Sequence, residues 1–285
     1  MHDPGQLQPK RRPTLPEDYF HRPSPARMWN YLQGGDDHFA LDRAAGDAQA
    51  EAFPDIFHLA RQARRFLSRA VRHTATDGDI HQFLDLGCGL PVPDDLENVH
   101  EIAQDIHPDS RVVYVDHDRV VVSYADALLT SKTGEGVTAH IEADIRDPAP
   151  VLTQAAQTLD LTRPVAVLML GVLGHIADFD EACATVDGFM AAMPGGSYLI
   201  VHDGHDDGYD DNKGVREGVA RRNETGIAPY HLRTGRQFQR YFHDLDVLDP
   251  GIVPVTTWRP DHVDPTTIRP VAGYCGVGRK VGPHR

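Results

Sequence analysis

Apolar and polar positions along this chain change period, and the change divides it. Between Ala26 and about His73 the signals are helical. Ile56, Leu59, Ala60, Ala63, Phe66, Leu67, Ala70 and Val71 recur at steps of three and four, which predicts an amphipathic helix, with Asp55 as a candidate N-cap. From Ile80 onward, short continuous apolar runs alternate with helical stretches. Strands are predicted near 80–86, 111–116, 137–143, 164–171 and 196–203, and helices near 95–106, 118–130, 148–158 and 180–192. Such alternation with Val/Ile/Leu-rich strands predicts an α/β fold, a parallel sheet covered by helices on both faces. Residues 206–224 are polar and then helical, and Gln237 to Phe242 predicts a further helix. Asp246 to Val255 and Val271 to Val281 suit a terminal antiparallel pair. Pro4, Pro9, Pro13, Pro16 and Pro23 stand among polar residues and predict an arm with little structure of its own. The expected organisation is an arm (1–24), a helical cap (25–75) and a ligand-binding core (76–285).

Composition narrows the function. The chain has 285 residues, 40% hydrophobic, enough for a proper core. No apolar stretch approaches the roughly 20 residues a membrane helix needs, and no secretory signal is visible. Cys88, Cys183 and Cys275 lie far apart without paired or zinc-type spacing, so a reduced, cytoplasmic protein is expected. A net charge of −14 disfavours a nucleic-acid substrate. Arg61, Arg64, Arg65, Arg69 and Arg72 read as the solvated face of their helix. His202-Asp203-Gly204-His205-Asp206-Asp207, with Asp210 and Asp211, fits no defined ligand pattern and reads as a solvated loop, so no metal is expected. Nothing in the sequence fixes the oligomeric state.

The chemistry gathers at the predicted C-terminal ends of the strands, the edge at which open α/β sheets bind ligands. Phe83-Leu84 leads into Asp85-Leu86-Gly87-Cys88-Gly89, a turn whose glycines let a ligand approach the backbone. Dinucleotide sites need a third glycine, and here Leu90-Pro91-Val92 follows. Asp85 at the mouth would repel a phosphate and tolerate a ligand bearing ammonium and sulfonium groups. Both details favour S-adenosylmethionine over NAD. Asp116 closes the second strand, where a carboxylate can accept from both ribose hydroxyls; Asp118 is expected to cap the next helix. Asp144 closes the third strand and could receive an adenine amino group while the Ile145 N–H serves a ring nitrogen; a plain cap is the alternative. Gly171 and Gly174 in the fourth segment permit close backbone approach. His175 could act as a base, or be structural.

Taken together, these segments resemble a group of mainly actinobacterial S-adenosylmethionine-dependent methyltransferases once filed as a domain of unknown function. The resemblance rests on Ser24 to Arg27, Tyr31 to Arg43, Phe83 to Pro91, Asn98 to Glu101, Tyr114 to Asp118, Ala143 to Pro148, Pro254 to Pro260 and Gly276 to Lys280. It implies a class I Rossmann-like core: a seven-stranded, mostly parallel sheet with one antiparallel strand near the C-terminus. It also implies an N-terminal Tyr31 to Phe39 segment folded over the cofactor, with Tyr31, Gly34 and Gly35 beside it. His117 joins the cofactor set through the same resemblance. Cys88, where a hydroxyl-bearing residue is common, and the longer segment Pro93 to Glu97 depart from the pattern. The expected activity is in-line methyl transfer to a small-molecule acceptor. A non-catalytic S-adenosylmethionine sensor and an NAD-dependent oxidoreductase or epimerase are the alternatives.

Overall fold

The computed structural model describes residues 17–92, 95–208, 212–260 and 268–282. The arm up to Pro16, Pro93, Asp94, Asp210 and Asp211 lie outside them. Three helices come first: α1 (Pro25–Gln33), α2 (Ala40–Ala52) and α3 (Ile56–Thr76). Strand and helix then alternate through β1 (Gln82–Leu86), α4 (Val99–Ile106), β2 (Arg111–Asp116), α5 (Arg119–Leu128), β3 (Val137–Glu142), α6 (Pro148–Ala155), β4 (Ala166–Leu170), α7 (Phe179–Ala192) and β5 (Tyr198–Gly204). The chain ends with α8 (Lys213–Asn223), α9 (Gly235–Arg240), β6 (Leu245–Val247), β7 (Val253–Pro254) and β8 (Gly273–Lys280).

The sheet runs β3-β2-β1-β4-β5-β8-β6, with β7 paired to β8 beside that path. β1 to β5 are parallel, and β8 is antiparallel to β5, β6 and β7. The path therefore has seven strands and one reversed member, as the resemblance implies; β7 makes an eighth.

Strand alternation assigns each side chain to a layer. Phe83, Val112, Tyr114, Leu168 and Ile200 pack with α3 and α4, whereas Leu84, Val113, Val167, Leu199 and Val201 pack with α6, α7 and α9. The two-residue period then sends Asp85 and His202 toward α3, and Asp203 toward the other layer.

Local chemistry moves several boundaries. α4 starts at Val99, later than its pattern predicts, because Asn98 and Glu101 form a capping box. Asp118 caps α5 by accepting from the Val120 N–H at 2.8 Å. Asp55 stands before α3 but makes no cap bond; its carboxylate accepts from Arg269 at 2.8 Å instead.

Two expectations need correction. The arginines of α3 are not one solvated face. Arg65 and Arg72 are exposed, whereas Arg61 and Arg64 are half-buried and Arg69 is buried. Buried Arg69 donates to the Trp258 carbonyl at 2.9 Å and the Val255 carbonyl at 2.6 Å, tying α3 to the C-terminal segment. Arg61 donates to the Gln33 carbonyl at 2.6 Å and pairs with Asp95, and Arg72 pairs with Glu97. The stretch from His202 is not a solvated loop either. β5 continues through Gly204, and His202, Asp203 and His205 are buried.

Candidate active site

The C-terminal ends of β1, β2, β4 and β5 open on a cavity of about 380 Å³, roofed by α1, α3 and α8. Gly87, Cys88, Gly89, Asp116, His117, Asp144, Ile145, Gly171 and His175 line it together with Asp85. Most residues singled out in the sequence thus converge on one space.

The glycine turn is held from β2. The Gly87 and Cys88 N–H groups donate to the Val115 carbonyl at 2.8 and 3.1 Å, and the Gly89 N–H donates to Asp116 Oδ2 at 3.1 Å. Gly89 and Gly171 adopt φ of +64° and +69°, and a Cβ on either would meet no atom within 4 Å. Their backbone faces open space, the condition for a ligand to approach it.

Asp116 is 7% exposed, and its Oδ1 accepts from the Asp118 N–H at 2.9 Å. Each oxygen holds one backbone donor and keeps further acceptor capacity toward the cavity. Asp85 is 3% exposed. Burial pushes its pKa up to about 6; Arg64 opposes that rise and Asp116 adds to it. Burial also raises the Asp116 carboxyl. Two carboxylates in one desolvated space favour a cationic ligand and disfavour a pyrophosphate. Arg64, on α3, lines the same cavity; it donates to the Glu97 carbonyl at 3.0 Å and to Asn98 Oδ1 at 3.3 Å. Desolvation, reinforced by Asp116 and Asp85, raises the pKa of the half-buried Cys88 thiol, which stays protonated.

Asp144 lies at the outer end. Its carboxylate is held by Arg146, whose Nε donates to both oxygens at 3.0 and 2.9 Å and whose backbone N–H donates to Oδ1 at 2.9 Å. Those bonds lower its pKa.

Tyr31, Gly34 and Gly35 are placed differently. None lines the cavity; Trp29, Asn30 and Gln33 of α1 do. Tyr31 donates to Asp47 Oδ1 at 2.7 Å and packs on His38 and Phe57. Gly34 is the left-handed residue that ends α1, and a Cβ on Gly35 would lie 2.5 Å from the Asn30 amide.

The deep end holds two histidines in the same tautomer. His175 Nδ1 donates to the Pro229 carbonyl at 2.9 Å, and His202 Nδ1 donates to the Tyr274 carbonyl at 3.1 Å. Each ring therefore keeps Nε2 as a bare acceptor. Burial lowers both pKa values to about 4, with Arg222 adding to the effect on His175, so both are neutral near pH 7. Tyr230 stands against His175 edge to face at 5.1 Å. Its hydroxyl donates to Asp203 and accepts from the Gly204 N–H at 2.9 Å. His202, Arg64, Arg222 and Tyr230 all line the cavity and carry no motif. Only the layer assignment of β5 could have pointed to His202.

A seven-membered path with one reversed strand, and acids at the tips of β1 and β2 beneath an open glycine turn, define a Rossmann-like S-adenosylmethionine-dependent methyltransferase. The chain belongs to the S-adenosyl methyltransferase family, which it matches over residues 17–281. It is 37% identical to a DUF574-family protein from Streptomyces avermitilis, with a TM-score of 0.79 over 92% of this chain and 98% of that one. A candidate methyltransferase from Thermobifida fusca is 35% identical, with a TM-score of 0.84 over 94% and 98%. An S-adenosylmethionine-dependent methyltransferase from Anabaena variabilis shares the fold at 13% identity and a TM-score of 0.50, over 97% of this chain and 100% of that one. No curated protein matches the chain in sequence. The resemblance read from the motifs is borne out, and the cofactor is S-adenosylmethionine. Among the described residues, no helix is long and apolar enough to cross a membrane.

Proposed function

We propose that this methyltransferase acts on a compact small-molecule acceptor. The observation that carries the proposal is the roof. α1, α3 and α8 supply one side of the cavity, and Met28, Phe53, Leu59, Val215 and Val219 give it an apolar wall alongside His175 and His202. A polymer would need an open groove there. The acidic chain also argues against a nucleic acid.

Bound S-adenosylmethionine supplies a methyl group already activated by its sulfonium. The protein's work is alignment, which can contribute about 7–11 kcal/mol. Asp116 accepts from the ribose hydroxyls. The Ile145 N–H and the Asp144 carboxylate, shared with Arg146, take the adenine edge, and His117 flanks it. Asp85 holds the ammonium and Arg64 the carboxylate of the amino-acid end. The Gly87 to Gly89 turn and Gly171 present backbone, and Cys88 fills the floor. Tyr31, Gly34 and Gly35 act from behind by fixing Asn30 and the end of α1, completing a cap built from residues 25–75. His175 takes the acceptor's proton at Nε2 where the nucleophile must lose one.

The test has two arms. Calorimetry should show binding of S-adenosylmethionine and S-adenosylhomocysteine but not NAD. Methyl-tritiated S-adenosylmethionine, incubated with the protein and a cell extract, should label the low-mass fraction. Label confined to protein or nucleic acid would sink the small-molecule reading, and no label at all would favour a sensor.

A further inference from the structure

Arg222 lines the deep end and has no part in the transfer reaction as proposed above. Val215, Val219 and Arg222 fall at steps of four and three on α8, so one helix face puts two apolar side chains and a guanidinium on the cavity wall. Arg222 is 2% exposed. Among the described residues no carboxylate lies within ion-pair distance of it. Its Nη1 donates to Asn223 Oδ1 at 2.8 Å, and its guanidinium lies over the Tyr230 ring at 5.5 Å from the centroid. Asn223 is fixed in turn: its Nδ2 donates to the Tyr230 carbonyl at 3.0 Å, and its Oδ1 accepts from the Tyr230 N–H at 3.0 Å.

A buried charge without a counter-charge is costly, and a protein retains one where a partner completes it. We propose that Arg222 is the recognition group for a carboxylate on the methyl acceptor, so that the substrate is a compact, largely apolar carboxylic acid. The proposal rests on the small-molecule reading above and names its substrate class.

The surroundings favour a single negative charge. His175, His202 and Tyr230 face the same space, and all three are neutral near pH 7. One guanidinium balances one carboxylate; a phosphate monoester would bring a second, uncompensated charge into an apolar pocket. The planar fork also suits bidentate contact with a carboxylate. Burial has already lowered the Arg222 pKa to about 10, a cost that a bound anion relieves. Two further guanidiniums line the cavity: Arg64, which interacts with Asp85 at the cofactor end, and Arg146, which is already paired with Asp144.

The probes are 3-phenylpropionate, indole-3-acetate and octanoate, each against its primary amide, with phenyl phosphate as a second anion. Binding is measured by ligand-observed NMR and calorimetry on the full chain saturated with S-adenosylhomocysteine. At least one carboxylate should bind ten-fold or more tighter than its amide. Arg222→Gln should abolish that preference while S-adenosylhomocysteine affinity stays unchanged, and Arg222→Lys should retain part of it. Circular dichroism and the S-adenosylhomocysteine affinity establish that the variants are folded. If Arg222→Gln does not fold, the preference must still weaken in Arg222→Lys. Equal binding of acids and amides, a preference that survives loss of the guanidinium, or tighter binding of phenyl phosphate overturns the proposal. So does a fall in S-adenosylhomocysteine affinity in Arg222→Gln, which would assign Arg222 to the cofactor. Failure of the unaltered protein to bind S-adenosylhomocysteine would strike the cofactor-site reading itself.

Discussion

Arg64 and Asp85 perturb one another across the cavity without forming an ion pair. The charge of Arg64 draws the Asp85 carboxyl downward against its burial, and Asp85 supports the Arg64 cation against its own. Yet the hydrogen bonds of Arg64 go to Glu97 and Asn98. A zwitterion set between them would meet both charges at once. Arg64→Met should weaken S-adenosylhomocysteine binding by about 1.5–3 kcal/mol, the worth of a charged hydrogen bond, and Arg64→Lys should weaken it less. Calorimetry decides it; unchanged affinity in Arg64→Met removes Arg64 from the amino-acid end.

If Asp85 holds the ammonium as proposed, cofactor binding should depend on pH. Its carboxyl titrates at about 6 in the folded protein against an ordinary value of 3.8. The folded state therefore holds a proton that the unfolded chain has released between about pH 4 and pH 6, so this residue's contribution to stability falls as pH rises through that window. A bound cation favours the ionised form and reverses the trend. The rise in melting temperature caused by S-adenosylmethionine should be larger at about pH 7.5 than at about pH 5. Asp85→Asn should flatten the difference; a pH-dependence unchanged in that variant would place the titrating group elsewhere.

Asp116→Ala removes the acceptor for the Gly89 and Asp118 N–H groups and, on the proposed placement of the cofactor, for the ribose hydroxyls as well. Affinity for S-adenosylhomocysteine should fall by about 2–4 kcal/mol. Asp116→Asn, which keeps an acceptor oxygen for the turn, should fall less. A folded Asp116→Ala variant of undiminished affinity ends the ribose assignment.

Arg69 gives a stability prediction away from the chemistry. Arg69→Met would leave two buried carbonyls, those of Val255 and Trp258, without their donor. The cost should be about 2–4 kcal/mol in denaturant unfolding. A loss below about 0.5 kcal/mol would mean that water replaces the guanidinium.

The centre of the sheet was legible in the sequence because β1, β2, β4 and β5 are buried on both faces and carry short apolar runs. Asp85, Asp116 and Asp144 stood out because each follows such a run. The roof was much less legible. The stripe from Ile56 to Val71 shows which face of α3 is apolar, but arginines flanking it can reach sideways to a carbonyl, a cavity or solvent. Arg69, Arg64 and Arg65 do one each. Arg222 sits beside Arg221, which pairs with Glu51 on the surface. Only tertiary packing of α8 tells the two neighbours apart. His202 fell inside the strand predicted over 196–203, but it opens a run of acidic and glycine residues that reads as a loop, and no motif marked its side chain as facing the cavity.

The chain's two tryptophans stand in opposite situations. Trp29 borders the cavity, whereas Trp258 is fully enclosed, edge to face with Phe66 and strapped to α3 through its carbonyl. Nature has thus supplied a built-in optical gauge and its own reference. Emission from the first should respond to whatever fills the chamber, and emission from the second should hold steady until the whole body melts.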